Sequence, residues 1–255
     1  MTEKKTRADL TQEEIDALPE DHPWKHENIF QIGGVQFTRS DNDRDVEERE
    51  RKEQERAEIE KQNRLLSWYT SASSGVPERY WDEGIDTFNV TDDEKRIAKG
   101  KTLSFINSKG GRILILCGGS GVGKSHLGCS IIKARGGRYI STLRLVYEID
   151  STLSYKAKET KIQVLDKYIN SPMLVLDEIG RIKVREDVQK ELVSYIISER
   201  YANRKPTVLI SNLDKKALVE WLGTAIYDRL CECADSIEFT GASYRIIKRN
   251  ETFEK

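Results

Sequence analysis

The sequence is poor in the features that would staple, metallate or embed a chain. Among 255 residues there are four cysteines. Cys117 and Cys129 read as small buried residues in a reducing compartment, whereas Cys231 and Cys233 lack the second pair or nearby histidine that a zinc site needs. Histidine is scarcer still, at three; His22 and His26 share a helical spacing but have no third ligand. No run approaches the roughly 18 apolar residues of a membrane helix, and the Met1-Thr-Glu-Lys-Lys start has no signal-peptide core. A soluble, intracellular protein without membrane contact is therefore expected. Neither sign of charge dominates: the net charge of -1 excludes a globally basic nucleic-acid coat, though not a local basic channel. With 37% hydrophobic and 33% charged residues, the chain has material for one good core, an α/β domain of about 150 residues plus an appendage.

What is present is concentrated at one place. The apolar run Ile113 to Leu116 leads into Gly118, Gly119, Ser120, Gly121, Val122, Gly123, Lys124 and Ser125, which fits G-x-x-x-x-G-K-[ST], and a helix-compatible segment follows from His126 to Ala134. Side-chain-poor residues let the backbone wrap a polyphosphate with its N–H groups turned inward. Lys124 adds a point charge near the β- and γ-phosphates, Ser125 a hydroxyl for Mg²⁺, and the helix that begins here aims its positive end at the anion. The expected ligands are ATP and Mg²⁺.

Before this loop the chain is polar. Residues 1–40 read as a partly ordered arm with Thr11-x-x-Glu14 as a possible capping box for one short helix ending at Pro19, and with Trp24, Phe30 and Phe37 as scattered anchors. Asp41 to Arg64 is a solvated helix: Glu47/Arg51 and Glu48/Lys52 run acid first at i, i+4, and no a/d stripe supports a coiled coil. Its apolar end, Leu65, Leu66, Trp68 and Tyr69, can dock. Ser71 to Pro77 breaks the helix and is assigned as a linker, giving an arm (1–40), a charged helix and linker (41–74) and a main domain (75–255). Thr91-x-x-Glu94 reads as a second capping box, opening a helix to about Ser108 that Gly110-Gly111 closes.

After the loop, strands and helices alternate. Arg138 to Ser141 is a short strand, and 143–156 and 160–169 are helical, with Leu153 on the first face and Ile162, Leu165 and Ile169 on the second. The strand Met173 to Glu178 delivers two acids to the carboxyl edge of a parallel sheet: Asp177 to hold Mg²⁺ through water, Glu178 to polarise an attacking water. A long helix, about Glu186 to Asn203, shows Val188, Leu192, Tyr195 and Ile196 to the core. The strand Pro206 to Ser211 ends at Asn212, able to orient water between Glu178 and the γ-phosphate. Helices at about 214–222 and from Thr224 precede a fifth strand, Ser236 to Phe239.

With Ser74-Gly-Val-Pro77, Leu176-Asp-Glu-Ile-Gly180, Ser211-Asn212-Leu213, Tyr227-Asp-Arg229-Leu230 and Ser243-Tyr-Arg245 in this order, residues 75–249 resemble the DnaC/IstB branch of the AAA+ ATPases. The resemblance implies an AAA+ P-loop NTPase: a five-stranded parallel sheet sandwiched by helices, no separate lid, and a mostly helical amino-terminal extension. It implies ATP hydrolysis at subunit interfaces in an ATP-dependent homo-oligomer, with Arg229 as an arginine finger for the neighbouring subunit and Arg245 as a second nucleotide sensor. The charged helix running into S-G-[IV]-P is more similar to replicative helicase loaders, whose extension grips a hexameric helicase, than to the transposase helpers of the same branch. An ATP-gated adaptor with negligible hydrolysis is the reading from another class. Loaders of this kind also contact single-stranded DNA through a helical element, here Leu143 to Tyr168 with Arg144, Tyr155, Lys156, Lys158 and Lys161.

Overall fold

The computed structural model describes residues 11–19, 29–32, 35–38, 41–241 and 243–244. His22, His26, Trp24 and Arg245 lie outside them. The chain forms two compact units, Met1–Gln62 and Asn63–Lys255.

The first unit holds helix α1 (Gln12–Asp16), an antiparallel strand pair β1 (Ile29–Ile32) and β2 (Val35–Thr38) that brings Phe30 opposite Phe37, and most of helix α2 (Asp41–Tyr69). The short helix expected before Pro19 is α1, and the strand pair is an element beyond that expectation. Along α2 the side chains from Glu48 to Arg64 are exposed, and Glu48–Lys52 at 2.7 Å and Glu58–Lys61 at 3.2 Å are surface ion pairs of the kind that contribute little to a solvated helix.

In the second unit the end of α2 docks as its apolar residues require. Tyr69 is fully buried and its hydroxyl donates to Tyr80 O at 2.7 Å, while Trp68 Nε1 donates to Gly137 O at 2.7 Å. The Ser71–Pro77 break is packed rather than slack. Ser74 and Val76 are buried, and Ser74 Oγ donates to Tyr69 O at 2.8 Å.

Then come α3 (Asp93–Asn107), β3 (Ile113–Gly118), α4 (Lys124–Arg135), β4 (Arg138–Ser141), α5 (Thr142–Ser151), α6 (Lys161–Ile169), β5 (Leu174–Ile179), α7 (Glu186–Ala202), β6 (Thr207–Ser211), α8 (Lys215–Leu222), α9 (Thr224–Cys233) and β7 (Ala234–Phe239). The five strands pair in the order β4-β5-β6-β3-β7, all parallel. Parallel strands covered on both faces must be apolar on both, and β3 divides accordingly. Leu114 and Leu116 join the cluster under α3 and α4; Ile113 and Cys117 join the one under α5 to α9. The expected sandwiched sheet is therefore present.

Three residues that periodicity assigns to core faces are exposed: Leu153 (80%), Ile162 (70%) and Tyr195 (47%). For Leu153 the reason is local, since α5 stops at Ser151 and the chain leaves the core in turns up to Thr160. Arg200, in contrast, is wholly buried on α7. Its guanidinium donates to the carbonyls of Tyr168, Ile169, Ser171 and Pro206 at 2.6–2.9 Å and to Thr207 Oγ1 at 2.8 Å. Burial pulls its pKa down to about 10, still a cation at neutral pH, so one charge is satisfied by oxygens that tie α6, α7 and the starts of β5 and β6 together.

Candidate functional site

The loop after β3 folds as its glycines allow. Gly118 has φ +110, and a Cβ there would lie 2.1 Å from Phe239 O; Gly123, the cap of α4 at φ +107, would meet Phe88 at 2.6 Å. Only glycine lets β7 and Phe88 come this close. The Gly118 N–H donates to Leu213 O at 2.8 Å, which fastens the loop to the end of β6. Lys124, 5% exposed, donates to Gly118 O at 2.7 Å and to Gly119 O at 2.5 Å.

At the end of β5 the register against β6 shifts between Leu176 and Ile179. Asp177 and Glu178 sit where the ladder is interrupted, and Glu178 has φ +61, a conformation costing on the order of 1 kcal/mol for a side-chain-bearing residue. The two acids diverge. Asp177 is 3% exposed: Oδ2 accepts Ser125 Oγ at 2.6 Å and also the Tyr139 hydroxyl, while Oδ1 accepts the Glu178 N–H at 2.6 Å. Burial and the adjacent Asp177 push the Tyr139 phenol far up, so at neutral pH it stays a donor. Glu178 opens to the cleft and pairs with Arg181.

These groups line one cleft of about 480 Å³ that takes in the loop from Ser120 to His126, Asp177, Glu178 and Asn212. Phe88, Tyr80 and Lys95 also line it. Among the described residues no group of three or more His, Cys, Asp and Glu side chains could hold a metal by itself. Yet the Ser125 hydroxyl and the Asp177 carboxylate are hard oxygen donors side by side, which suits Mg²⁺ completing its shell with water and substrate phosphates. The donor set fits the ion.

Not every sequence candidate joins the cleft in the same way. The His126 ring contacts Gly84 O at 2.7 Å and stacks edge-on with Phe88, so it pins the 83–88 segment. Arg229 is not among the cleft's lining residues. It lies on α9 with Nη1 donating to Ser198 Oγ at 2.8 Å, not paired with Asp228 or Glu232. Arg144 pairs with Glu148 at 3.3 Å at the surface, and Tyr155, Lys156 and Lys158 are exposed in the α5–α6 connection.

Two groups at the site escape sequence reading. Thr91-x-x-Glu94 is not a capping box, because the cap of α3 is Asp92, whose Oδ1 accepts the Lys95 N–H at 2.8 Å. Glu94 instead accepts from Thr240 N at 2.8 Å, Thr240 Oγ1 at 2.6 Å and Gly241 N at 3.3 Å. It thereby holds the chain leading to Tyr244, whose N–H donates to Gly121 O at 3.0 Å in the phosphate loop. Burial works to raise the Glu94 pKa, but these donors outweigh it and leave it lowered, so the grip is complete above the ordinary glutamate value and lost as pH falls through the lowered one. Tyr139 is the second. Nothing in Arg138-Tyr-Ile-Ser141 distinguishes a tyrosine aimed at a carboxylate from one filling a core.

The family model described as IstB-like ATP binding protein matches residues 46–252. The replicative helicase loader DnaC of Buchnera aphidicola subsp. Baizongia pistaciae is 24% identical over 164 residues, covering 62% of this chain and 66% of that protein, just under two thirds of its length. An ATP-binding protein of insertion sequence IS232 from Bacillus thuringiensis subsp. berliner is 29% identical over 172 residues, 65% of this chain and 67% of that protein. Among solved structures, the crystal structure of the DnaC helicase loader superposes with a TM-score of 0.56 at 28% identity, covering 64% of this chain and 100% of that one. No helix among the described residues is long and apolar enough to cross a membrane. With its phosphate loop, its five-stranded parallel sheet and a family match that runs over most of its length, the chain belongs to the IstB-like ATP binding protein family and has the AAA+ P-loop fold of the DnaC loaders.

Proposed function

We propose that this chain is an ATP-hydrolysing loader of a replicative hexameric DNA helicase. The observation that carries the reading is the division of the catalytic groups: Lys124, Ser125, Asp177, Glu178 and Asn212 share one cleft, while Arg229 stands apart on α9. A site completed by the arginine of another copy would couple turnover to assembly. In the proposed reaction Glu178, freed from Arg181, accepts the proton of the attacking water that Asn212 orients, and the water oxygen bonds to the γ-phosphorus as the bond from that phosphorus to the bridging oxygen breaks, giving phosphate and ADP. Ser125 and Asp177 would hold Mg²⁺, which would supply charge neutralisation of the phosphates. Arg245 is proposed as a further contact to the phosphates. The amino-terminal region is proposed to hold the helicase, in line with the DnaC name of the relatives. Single-stranded DNA is proposed to run over the α5–α6 connection, where Arg144, Tyr155, Lys156 and Lys158 provide a stacking face among positive charges.

The test mixes two inactive proteins, Arg229→Ala and Lys124→Ala. An arginine worth about 10³ in rate, acting on a neighbour's nucleotide, restores part of the hydrolysis in the mixture although neither variant hydrolyses alone. Absence of rescue at every ratio rejects the finger. Helicase choice is read by capture on the full chain with ATP. Recovery of a hexameric helicase, identified by mass, supports the loader.

A second reading has its own support, since the insertion-sequence protein is 29% identical over 172 residues, against 24% over 164 for the Buchnera loader. A helper of transposition on the same ATPase would bind duplex DNA and recover a transposase in the same capture. An ATP-gated adaptor would show Glu178→Gln indistinguishable from the unaltered protein in every assay.

A further inference from the structure

Three groups hold the Asp177 carboxylate, and the proposed chemistry uses only part of them. Ser125 donates to Oδ2 at 2.6 Å and the Glu178 N–H to Oδ1 at 2.6 Å; the Tyr139 hydroxyl donates to the same Oδ2 as Ser125. Ser125 is the one of the three that a cation would also claim. Tyr139 and the Glu178 N–H are the two holds that such a claim leaves in place. Tyr139 itself is 8% exposed and lines the cleft floor, so its hydroxyl has little water to fall back on.

The tyrosine is also unusually well braced for a residue on an edge strand. β4 is the last strand of the sheet, its Tyr139 level with Val175 of β5. Its open side is covered by the corner that leaves α2. Gly75, at φ +73, passes so close that a Cβ would stand 2.0 Å from Tyr139 O, Arg138 Nη1 donates to Ser73 O at 2.6 Å, and Trp68 Nε1 holds Gly137 O. A side chain needed only to fill the core would not require its strand to be clamped from both directions while its polar tip lands on a single carboxylate oxygen.

We propose that Tyr139 is a positioning residue of the nucleotide site: by anchoring Asp177 from β4, it sets how strongly the site prefers nucleotide with Mg²⁺ over nucleotide alone. The proposal rests on the reading of the cleft as an ATP site and adds to it a residue that touches neither phosphate nor reacting atoms. Orienting partners one shell behind a metal-binding carboxylate act by fixing its direction and are commonly worth about tenfold or more in metal response.

The experiment titrates a fluorescent ATP analogue into full-length protein with Mg²⁺ varied and with chelator. Tyr139→Phe keeps the ring and removes only the donor. The expected result is a Mg²⁺ half-saturation about tenfold higher than in the unaltered protein, with nucleotide affinity in chelator unchanged and the fold retained by circular dichroism. In an Asp177→Asn background the same substitution is expected to add nothing, because the effect passes through that carboxylate. This double-variant arm also separates positioning from loss of fold, since general destabilisation would add to Asp177→Asn. An unchanged Mg²⁺ half-saturation in Tyr139→Phe, or an equal shift in the Asp177→Asn background, overturns the role of Tyr139 while leaving the ATP site standing. Unaltered protein that takes up no nucleotide with Mg²⁺ overturns both.

Discussion

The cleft and the α5–α6 connection are the two regions that sequence reading assigns to anions, and they are built in opposite ways. In the cleft most of the chemical groups are tied to another: Lys124 to the carbonyls of Gly118 and Gly119, Ser125 and Tyr139 to Asp177, Glu178 to Arg181. In the connection, Tyr155 is fully exposed, Leu153 is 80% exposed, and Lys156 and Lys158 are exposed beside them. The connection is held by local turns, such as Ala157 N–H on Ser154 O at 2.9 Å, and by the reciprocal capping box of Thr160 and Gln163 that starts α6. A triphosphate has one shape, so donors held by strand ends meet it with little reorganisation. A single strand of nucleic acid has many shapes and is met by exposed faces and charges that can follow it. The contrast makes the two regions separable by substitution.

The strongest way to break the comparison is at Glu178. Glu178→Gln keeps the size and the backbone but cannot take a proton, so turnover is expected to fall about 10²–10⁴-fold while nucleotide affinity stays within about twofold. Phosphate release and analogue binding, measured on the same preparation, check this. Equal loss in both would mean that the residue shapes the cleft and does not act on water. Tyr155→Ala asks the converse. Removal of one stacking face is expected to weaken single-stranded DNA binding about tenfold and to leave nucleotide affinity untouched, as read by polarisation of a labelled oligonucleotide. If the nucleotide affinity moved as well, the two regions would not be independent.

How far each region could be read from sequence follows from the range of the interactions that make it. The phosphate loop is legible because close wrapping of a polyphosphate dictates the spacing of Gly118, Gly123 and Lys124 locally. The acid pair is legible because adjacent carboxylates at the end of a buried apolar strand, Asp177 and Glu178, are costly there unless a cation or a bound water meets them. The central strands of the sheet are legible as well, since a parallel sheet covered on both sides leaves continuous apolar runs. Glu94 is hidden because its partner, Thr240, is 146 residues away. A local pattern offers a capping box, while the nearer Asp92 takes the cap. Arg200 is invisible for a similar reason, as its acceptors are backbone carbonyls that any residue would supply. The β1–β2 pair does leave a trace: the β-prone runs Ile29-Phe-Gln-Ile and Val35-Gln-Phe-Thr flank Gly33-Gly34, a two-residue hairpin signal that the surrounding polar sequence masks. Leu153 and Ile162 mislead because periodicity runs on past the end of one helix and onto the open side of the next.

The smallest effect sharpens the comparison most, because it distinguishes a charge that touches phosphate from one that only decorates a surface. Lys156 and Lys158 are exposed, whereas the neighbouring Lys161 and Lys167 are engaged by Glu191 and Glu159. A lysine already paired gains little by meeting a phosphate, since it exchanges one anion for another. An exposed lysine displaces a condensed counterion from the strand, which contributes about 0.7 to the slope of log affinity against log salt for single strands. Lys156→Gln is therefore expected to flatten that slope by about 0.7, and Lys161→Gln to leave it unchanged. Oligonucleotide binding across a salt series reads both. A common slope for all three proteins would leave the connection without phosphate contact and return its charges to the solvent.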